Sequence, residues 1–428
     1  MADTEEHGGT EAVWRNTIRL ALLSMVVGVL AGVASAAFLS ALDWATDERF
    51  DHPSLLYLLP LAGLAVGLVY HYGGGRSAEG NNLIIDEIHD PKAWVPRRMA
   101  PMIFVGTVLT QLFGGSAGRE GAAIQMSGSL TDLAARTLRV APRDRRVLLV
   151  AAIAGGFGAV FGVPLAGAVF GLEVQRRTRD HGRAVLPCLV AALVGDRIVA
   201  WLGVHHTPTP DLGRVDLSVS LLAKVALGAV AFGLISTVFS IVVHAVKWGF
   251  GRTIGWAPGR PFVGGLLVIA LTLLFGTRVY NGLSLGLIEA SLFGAHVPTW
   301  GFAAKLLLTA VTLGAGFVGG EVTPLFVIGA TLGATLAGVL DVPLPLLAAL
   351  GFVAVFAGAA NTPIACVVMG LELFGTGAAA YFVVACAFAY LASSHRGLYG
   401  GADSATRSPV VPWAFVAFRH RRPVAEIP

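Results

Sequence analysis

Charged residues are scarce in this sequence. Asp, Glu, Lys and Arg make up 13% of the 428 residues, whereas about 25% is usual in soluble domains. Hydrophobic residues account for 55% of the chain, and the mean hydropathy is +0.73. This composition is typical of a membrane protein.

Long apolar stretches recur along the whole chain. They lie around residues 18–42, 55–72, 99–113, 147–172, 184–204, 217–248, 261–277, 303–319, 323–361 and 364–392. A spanning helix needs about 20 apolar residues, and these runs are continuous, unlike the alternating strands of a transmembrane barrel. The sequence therefore predicts an all-α polytopic membrane protein. No cleavable signal is expected, because the polar N-terminus precedes a run long enough to span.

Cysteine is also rare, and no metal-ligand pattern is present. Cys188, Cys366 and Cys386 lie far apart in apolar segments without a CxxC pair. They predict small buried side chains, with neither a disulfide nor a metal framework. The histidines show no ligand spacing, so the sequence predicts no metal, no cofactor and no catalytic residues.

Positive charge is concentrated in three segments. Arginines cluster at residues 136–146 and 176–183, and again in the tail at 418–423. The positive-inside rule predicts that these segments, and both termini, are cytoplasmic. No soluble basic domain exists that could carry nucleic-acid binding.

Glycine, with 54 residues, is abundant, and it belongs to a repeated pattern. "AVFGVPLAGAVFGLE" (159–173) aligns with "GAANTPIACVVMGLE" (358–372), "GSAGREGAA" (115–123) aligns with "GFVGGEVTP" (316–324), and "GNNLIIDEI" (80–88) aligns more faintly with "GLSLGLIEA" (282–290). Three blocks in the same order, at nearly the same offset, predict two repeated halves.

The predicted organisation follows from this repeat. It comprises a polar N-terminus (1–14), a first membrane repeat (15–203), a linker (204–214), a second membrane repeat (215–405) and a cytoplasmic tail (406–428). Paired halves with interrupted segments at matching positions are typical of transporters, whose sites lie where half-helix N-termini meet.

Three Gly-rich breaks mark where such helices would begin. They are "GNN" (80–82), "GREG" (118–121) and "GGEVTP" (319–324). A helix N-terminus offers free N–H groups and a positive dipole end, so it attracts anions. The alternative is that these glycines only permit close helix packing. Glu120 and Glu321 occupy equivalent positions, and because intramembrane ionisable residues are functional by default, the pattern favours an anion site.

These segments resemble the CLC family of anion channels and anion/proton exchangers. "GREGAAIQMSGSL" (118–130) is similar to the family's GxEGP-type motif, "GGEVTP" to its GxFxP block, "FGVPLAGAVFGLEV" (161–174) to its FxAPLAGxLFxxEE segment, and "GLYGG" (397–401) to the stretch with its central tyrosine. The resemblance spans about residues 15–405. It implies a CLC-type fold of two inverted repeats with tilted and re-entrant helices, and a homodimer with a pore in each subunit.

Departures from the family pattern indicate one branch of it. Asn81 stands where chloride-handling members have serine, and Val174 replaces the inner proton glutamate of chloride/proton exchangers. Ala122 replaces a proline, while Glu321 and Thr323 appear in the second-half motif. This set resembles the fluoride-exporting branch, and it implies a fluoride/proton antiporter that exports F⁻ in exchange for H⁺.

The resemblance also implies roles for individual residues. Glu120 is the expected gate and proton carrier: ionised, it competes with the anion for the same donors, and protonated, it swings aside with H⁺. Glu321 could complete the anion path, relay protons or brace the site. The expected anion-binding groups are the Asn81 amide, the Thr323 and Tyr399 hydroxyls, and backbone N–H groups at Gly118, Gly121 and Val322. Tyr399 could instead be an interfacial anchor.

Other charged residues are given structural roles. Arg119 is expected to face solvent or to pair locally, and it is not expected to be a ligand. Glu173 precedes a basic loop and is expected to be paired near the cytoplasmic surface. Asp86, Glu87 and Asp90 are predicted to be solvated or capping.

Two other functions stay open at this point. A chloride/proton exchanger or a chloride channel of the same family is disfavoured by Asn81 and Val174, and an ungated channel by Glu120. "GGSAG" (114–118) matches the nucleophile elbow GxSxG, and an intramembrane serine hydrolase would need His244 as its base. No strand is expected before that segment, so a transporter is predicted and not an enzyme. The resemblance further suggests a bacterial inner-membrane protein.

Overall fold

The computed structural model describes residues 3–175 and 181–394, with side chains from residue 16 onward. Tyr399 and the basic tail lie outside these residues. Within the described ranges the chain is helical and forms no strand, apart from one isolated bridge between Gly118 and Gly320. The predicted all-α class is confirmed.

Eight α-helices precede the linker in the described part of the chain, and eight follow it. The first group is α1 (Asp3–Asp51), α2 (Leu59–Val69), α3 (Asn81–His89), α4 (Met99–Leu112), α5 (Glu120–Thr137), α6 (Pro142–Phe161), α7 (Pro164–Glu173) and α8 (His181–Trp201). The second group is α9 (Val219–Thr253), α10 (Gly259–Phe275), α11 (Leu285–Leu292), α12 (Gly301–Gly314), α13 (Val322–Leu340), α14 (Leu344–Ala360), α15 (Pro363–Phe374) and α16 (Ala379–Ala392). Short turns of helix lie at Pro53–Leu58, Tyr70–Gly74, Gly75–Glu79 and Thr376–Ala378.

Five helical segments are long and apolar enough to cross a membrane. They are Asn16–Asp51, Pro53–His89, His181–Trp201, Val219–Thr253 and Val322–Leu340. Most of the other apolar helices have 10–17 residues. A helix of 10 residues is only about 15 Å long, half the thickness of the bilayer core. The shorter helices therefore fit the predicted architecture of tilted and re-entrant segments.

The two halves break their helices in the same way. Gly162 ends α6 with a left-handed φ of 71°, and Pro164 begins α7. Asn361 ends α14 with a φ of 58°, and Pro363 begins α15. A left-handed residue terminates a helix, and proline fits its first turn, where no N–H partner is available. The break between α6 and α7 and the break between α14 and α15 therefore fall at equivalent positions of the two repeats.

Helices α7 and α15 join the halves through reciprocal caps. The Glu173 carboxylate, at the end of α7, accepts hydrogen bonds from the N–H groups of Ile364 (3.0 Å) and Ala365 (2.7 Å) at the start of α15. The Glu372 carboxylate accepts from Leu165 (2.8 Å) and from Ala166 (2.7 Å) at the start of α7. The predicted pairing of Glu173 is therefore present, and its partners are helix N–H groups.

Two faces of the molecule can be distinguished. On one face, Asp144 at the start of α6 pairs with Arg19 of α1 (3.5 Å) and Arg183 of α8 (3.0 Å). We call this the basic face. The opposite face carries the segment 202–218, which hydrogen-bonds to the end of α15, and we call it the loop face. Helix α6 runs from the basic face to the loop face.

Glu87 corrects a prediction from the sequence, because it is fully buried and neither solvated nor capping. It accepts from Arg76 (2.7 Å) and Arg145 (3.3 Å). Arg145 also contacts Asp132 (2.5 Å), and its guanidinium lies 4.7 Å from the centroid of the Trp94 ring. This ion cluster binds the end of α3 to α5 and α6. Burial of Glu87 is tolerated because its charge is matched by two arginines.

Asp86 and Asp90 flank Glu87 in the sequence, and both are exposed, as predicted. Helix α3 therefore turns Glu87 inward and Asp86 outward, because neighbouring residues of a helix are rotated by about 100°. Asp90 follows the end of the helix.

Candidate anion site

The starts of α5 and α13 meet near the centre of the molecule. The N–H of Gly118 donates to the Gly320 carbonyl (2.6 Å), and the N–H of Gly320 donates to the Gly118 carbonyl (2.8 Å). A Cβ at Gly118 would lie 3.0 Å from the Gly320 carbonyl oxygen, and a Cβ at Gly320 would lie 3.0 Å from the nitrogen of Gly121. Glycine is needed at this contact because the two backbones touch.

Glu120 is the first residue of α5, and its carboxylate is fully buried at this junction. One oxygen, Oε2, accepts from the N–H of Arg119 (3.1 Å) and from the N–H of Thr323 (3.0 Å). The other oxygen, Oε1, accepts from the Thr323 hydroxyl. A buried carboxylate requires this degree of hydrogen bonding. Three donors, supplied by both halves, therefore hold a negative charge here.

The dipoles of α5 and α13 also favour negative charge at this position. Glu120 and Val322 are the first residues of these helices, and the first four N–H groups of a helix have no partner within it. The N-terminus of each helix thus carries a partial positive charge. A small anion in place of the carboxylate would find the same donors and the same dipoles.

Arg119 pairs locally with Glu120, which is one of the two outcomes expected for it. Its side chain is buried, and its Nε lies 3.6 Å from Glu120 Oε1. That distance allows attraction between the charges but no hydrogen bond, and Nε has no hydrogen-bond partner among the described residues. Arg119 therefore contributes a positive charge beside the carboxylate, while its backbone N–H is a direct donor.

His206, in the segment 202–218, lies on the loop-face side of Arg119. Its ring covers Gly162, where a Cβ would lie 2.4 Å from the imidazole. Burial and the positive charge of Arg119 lower the pKa of His206 to about 4, so the imidazole is neutral at pH 7. The sequence offered no sign of this placement, because the contact depends on the fold of the segment between the halves.

The remaining residues predicted to bind an anion have distinct positions. Asn81 begins α3, and a Cβ at Gly121 would lie 3.0 Å from its Nδ2, so the amide lies next to the start of α5. Val322 begins α13 and is buried. Gly118 departs from the prediction: its N–H is bonded to Gly320 and is no free donor in this conformation. Tyr399 lies outside the described residues.

Glu321 stands at the N-cap of α13. Its side chain forms no hydrogen bond or ion pair with Glu120 or with any other described residue. Lys247 of α9 is close enough for its charge to act on Glu321. The structure thus brings Asn81, Glu120 and Thr323 together and leaves the Glu321 carboxylate apart from that cluster.

Ser116 and His244 have separate partners among the described residues and do not form the catalytic pair that the hydrolase alternative needs. The buried Ser116 hydroxyl shares a hydrogen bond with the Thr309 hydroxyl (2.9 Å). His244 Nδ1 lies 2.7 Å from the Ser240 carbonyl oxygen on its own helix. Among the described residues no strand precedes Ser116, as a nucleophile elbow would require.

Two residues that the sequence did not single out hold the loop leading to Glu120. Gln111 donates from Nε2 to the Ala117 carbonyl (2.6 Å), and Asn281 donates from Nδ2 to the Gly114 carbonyl (2.8 Å). Both side chains are buried. The rule that polar residues at bilayer depth are functional could have identified Gln111, whereas Asn281 lies in a polar turn with no such signal.

Comparison with known proteins is consistent with this geometry. The family model described as "Voltage gated chloride channel" matches residues 61–394. A "Chloride/fluoride channel protein" of Pseudomonas syringae pv. tomato is 49% identical over 385 residues, covering 88% of this chain and 84% of that protein. An "H(+)/Cl(-) exchange transporter ClcA" of Salmonella agona is 26% identical over 394 residues, covering 84% of this chain and 82% of the transporter.

Solved structures show the same fold. A crystal structure of a CLC-type fluoride/proton antiporter matches with a TM-score of 0.86 and 34% identity, over 89% of this chain and 97% of that one. A slow cyanobacterial Cl⁻/H⁺ antiporter matches with a TM-score of 0.77 and 20% identity, over 88% of this chain and 94% of the other, and supports the fold alone. The match to the family model covers well over half of the chain, so this protein belongs to the voltage gated chloride channel family, the CLC family.

Proposed function

We propose that this protein is a fluoride/proton antiporter that exports F⁻ in exchange for H⁺. The observation that carries the proposal is the Glu120 carboxylate. It accepts hydrogen bonds from two backbone N–H groups and one hydroxyl, at the point where two helix N-termini meet. A carboxylate held in this way occupies the donors that a small anion needs, so only one of the two can be bound at a time.

Coupling follows from this competition. Ionised Glu120 is stabilised by the donors of Arg119 and Thr323 and closes the path. When an anion takes those donors, the carboxylate loses its stabilisation and must leave them. A carboxylate without donors in an apolar surrounding takes up a proton, because burial of an unpaired charge is costly. Departure of the anion then lets Glu120 release its proton and return. We propose that Glu120 takes its proton from the side to which the anion leaves and releases it to the other side, so that each cycle moves an anion and a proton in opposite directions.

Fluoride is the substrate we favour. Fluoride is small and strongly hydrated, so its site must replace water with strong, short donors. The Thr323 hydroxyl and the Asn81 amide are such donors, and both lie at the start of a helix beside Glu120. The names of two relatives support this choice, since one is a chloride/fluoride channel protein and the other a fluoride/proton antiporter. Glu321 and Tyr399 are proposed as further members of the path.

A chloride/proton exchanger is the alternative with specific support, since more distant relatives carry that name. Efflux from liposomes that contain the purified protein separates the two. Liposomes loaded with fluoride or with chloride are diluted into anion-free buffer, and a selective electrode follows release. We expect rapid fluoride release and slow chloride release. Equal release of both anions would refute fluoride selectivity.

Glu120→Gln tests the gate separately from selectivity. Glutamine keeps the size of the side chain but carries no charge and cannot deliver a proton. We expect the variant to lose fluoride-driven proton movement, measured with a pH-sensitive dye in the liposomes. Glu289→Gln is the matched control, because Glu289 is an exposed glutamate on α11. A proton gradient that still drives fluoride uptake in Glu120→Gln would overturn the assignment.

The orientation and assembly belong to the same proposal. The basic face, with Arg19 and Arg183, is placed in the cytoplasm and the loop face outside, in the inner membrane of a bacterium. Two copies form a homodimer, with repeats at 15–203 and 215–405 in each. An impermeant thiol reagent applied to intact cells should label Arg214→Cys on the exposed loop face. Labelling only after the cells are opened would reverse the orientation.

A further inference from the structure

A small cavity of about 60 Å³ lies on the loop face, apart from the contacts of Glu120. It forms where α1 ends, beside the short turn at Pro53–Leu58 and the segment that follows α10. Arg49 and Arg278 line it, together with Asn281 and Gly114. The rest of the lining is apolar and consists of Phe50, Pro53 and Leu56, and no carboxylate belongs to it.

Arg49 is the unusual residue in this lining. Its side chain is only 8% exposed, yet it forms no hydrogen bond or ion pair with any described residue. Its Cζ lies 5.0 Å from the centroid of the Phe50 ring, which is a weak partner for a guanidinium. The buried Nε–H of Arg49 has no partner among the described residues, so it is available to a group that enters the cavity.

Two further basic residues, Arg278 and Lys305, lie near Arg49. Arg278 Nη1 donates to the Pro53 carbonyl (2.8 Å). Lys305 is fully buried, and its ammonium donates to the carbonyls of Tyr280 (3.2 Å) and Gly282 (2.7 Å) and to a serine hydroxyl (2.9 Å). All of these acceptors are neutral. No Asp or Glu of the described residues lies within ion-pair distance of Arg49, Arg278 or Lys305.

We propose that this cavity is a second anion site, which takes a halide from the solution on the loop face. Buried charges are normally paired, because moving an unpaired charge from water into the protein interior is costly. Arg49 is buried without a protein carboxylate beside it, so its charge would be balanced by an anion from outside the chain. The cavity is large enough for a halide, since its volume of about 60 Å³ exceeds the roughly 10–15 Å³ that a single bound water requires.

The site connects to the loop that carries Glu120 without sharing its donors. Asn281 lines the cavity and donates to the Gly114 carbonyl (2.8 Å), and Gly114 begins the loop that continues to Gly118. A halide beside Arg49 neutralises the charge that this corner of the fold has buried. Halide binding on the loop face therefore stabilises the folded protein, whether or not the anion is later transported.

Bromide provides a direct test, because its anomalous scattering reveals its position. In crystals of the wild-type protein grown with bromide, we expect an anomalous peak within hydrogen-bond reach of the Arg49 guanidinium. Arg49→Gln should lose the peak, and Arg214→Gln, an exposed arginine on the same face, should keep it. An empty cavity at saturating bromide, or a lipid phosphate in its place, would overturn the proposal.

A measurement in solution covers the case in which Arg49→Gln does not fold. The melting temperature of wild-type protein in detergent should rise with bromide concentration, since a ligand that binds only the folded state stabilises it. Arg278→Gln should need about tenfold more bromide for the same rise, which corresponds to the loss of one donor group. Identical titrations of the two proteins would contradict the site. Neither readout depends on fluoride transport, so the proposed function and this site can fail independently.

Discussion

Thr323 is the residue on which the closed state of the site depends most directly. It donates both its backbone N–H and its hydroxyl to the two oxygens of Glu120. The backbone donor is fixed by the start of α13 and survives any substitution except proline. A substitution at position 323 can, however, remove the hydroxyl. A fluoride ion would use this hydroxyl as a donor after Glu120 leaves.

Thr323→Val removes that hydroxyl and keeps the shape of the side chain. A hydrogen bond to a charged group contributes about 1.5–3 kcal/mol, but ionised Glu120 loses the same donor. The apparent fluoride affinity should therefore fall by less than the full ten- to hundredfold that this contribution would give. Fluoride titrations of efflux from liposomes would measure the change. Thr323→Ser retains the hydroxyl and should remain close to wild type. Equal loss in both variants would show that packing, and not the hydroxyl, is responsible.

At the scale of residues, the sequence identifies charges but not their partners. Glu120 could be predicted, because a carboxylate between glycines at bilayer depth is costly and needs a purpose. Glu87 was misjudged, since Arg145 and Asp132, which surround it, are distant in the chain. Arg49 was not singled out either. A lone arginine near the end of an apolar run suggests an interfacial anchor until the fold reveals its burial.

Half-buried carboxylates join elements of the two halves, in addition to apolar packing. Glu173 and Glu372 each cap the helix of the other half, at opposite ends of the α7–α15 pair. Each cap satisfies two N–H groups that a helix leaves unpaired at its start. The pair therefore fixes both the antiparallel direction and the register of these two helices.

Removal of the two caps should have additive effects. Glu173→Gln and Glu372→Gln should each lower the free energy of unfolding by about 1 kcal/mol, the usual loss on removing a helix cap. Effects at sites more than about 7–10 Å apart add within about 0.5 kcal/mol, and the length of α7 separates the two caps by more than that. Denaturation of the single and double variants in detergent would measure this. A double variant that loses much more than the sum would indicate that the two caps are coupled.

The ion cluster around Arg145 holds the end of α3 against α5 and α6. Arg145→Gln leaves Asp132 without its ion-pair partner and Glu87 with Arg76 as its remaining ion-pair partner, although backbone N–H groups still donate to both carboxylates. Breaking one member of a buried ion cluster costs about 3–5 kcal/mol. We expect a large fall in the melting temperature measured in detergent. Arg136→Gln is the control, because Arg136 is exposed and only lies over the same tryptophan at 6.0 Å. Equal falls would refute the role of the cluster.

The sequence predicts the elements better than it predicts their ends. The apolar run 147–172 contains two helices, which divide at Gly162, and the run 323–361 contains two, which divide at Asp341. The turn at Gly162 is half-buried, so hydropathy is continuous across it, whereas the turn at Asp341 is exposed and its carboxylate pairs with Lys224 (2.9 Å). A left-handed φ at Gly162 and Asp341 ends the helix, and only a Gly or Pro nearby hints at this before the structure is known.

For the whole molecule, the site exists only when both halves are folded together. The carboxylate of Glu120 comes from the first half, and it takes donors from Arg119 of the same half and from Thr323 of the second. The antiparallel bridge between Gly118 and Gly320 aligns the two helix starts. Neither half has this donor set alone. Repetition therefore builds one shared site from two similar breaks, and only the first break places its glutamate in the site.

Competition between Glu120 and the anion predicts proton uptake on fluoride binding. When fluoride takes the donors of Glu120, the displaced carboxylate accepts a proton, so binding consumes up to one H⁺. By linkage, the fluoride affinity should rise as the pH falls, by up to about tenfold per pH unit while Glu120 is ionised in the fluoride-free protein. Calorimetric titrations in two buffers of different ionisation enthalpy would count the protons.

Glu120→Gln provides the decisive comparison. Glutamine cannot be protonated, so the variant should bind fluoride with an affinity that does not vary with pH and with the same heat in both buffers. Glu289→Gln should keep the wild-type proton uptake, because its side chain is exposed on α11. If wild-type protein binds fluoride without taking up protons, the anion and the carboxylate do not exchange places. The N–H and hydroxyl of Thr323 would then stay hydrogen-bonded to Glu120 throughout the cycle, and coupling would have to arise elsewhere in the molecule.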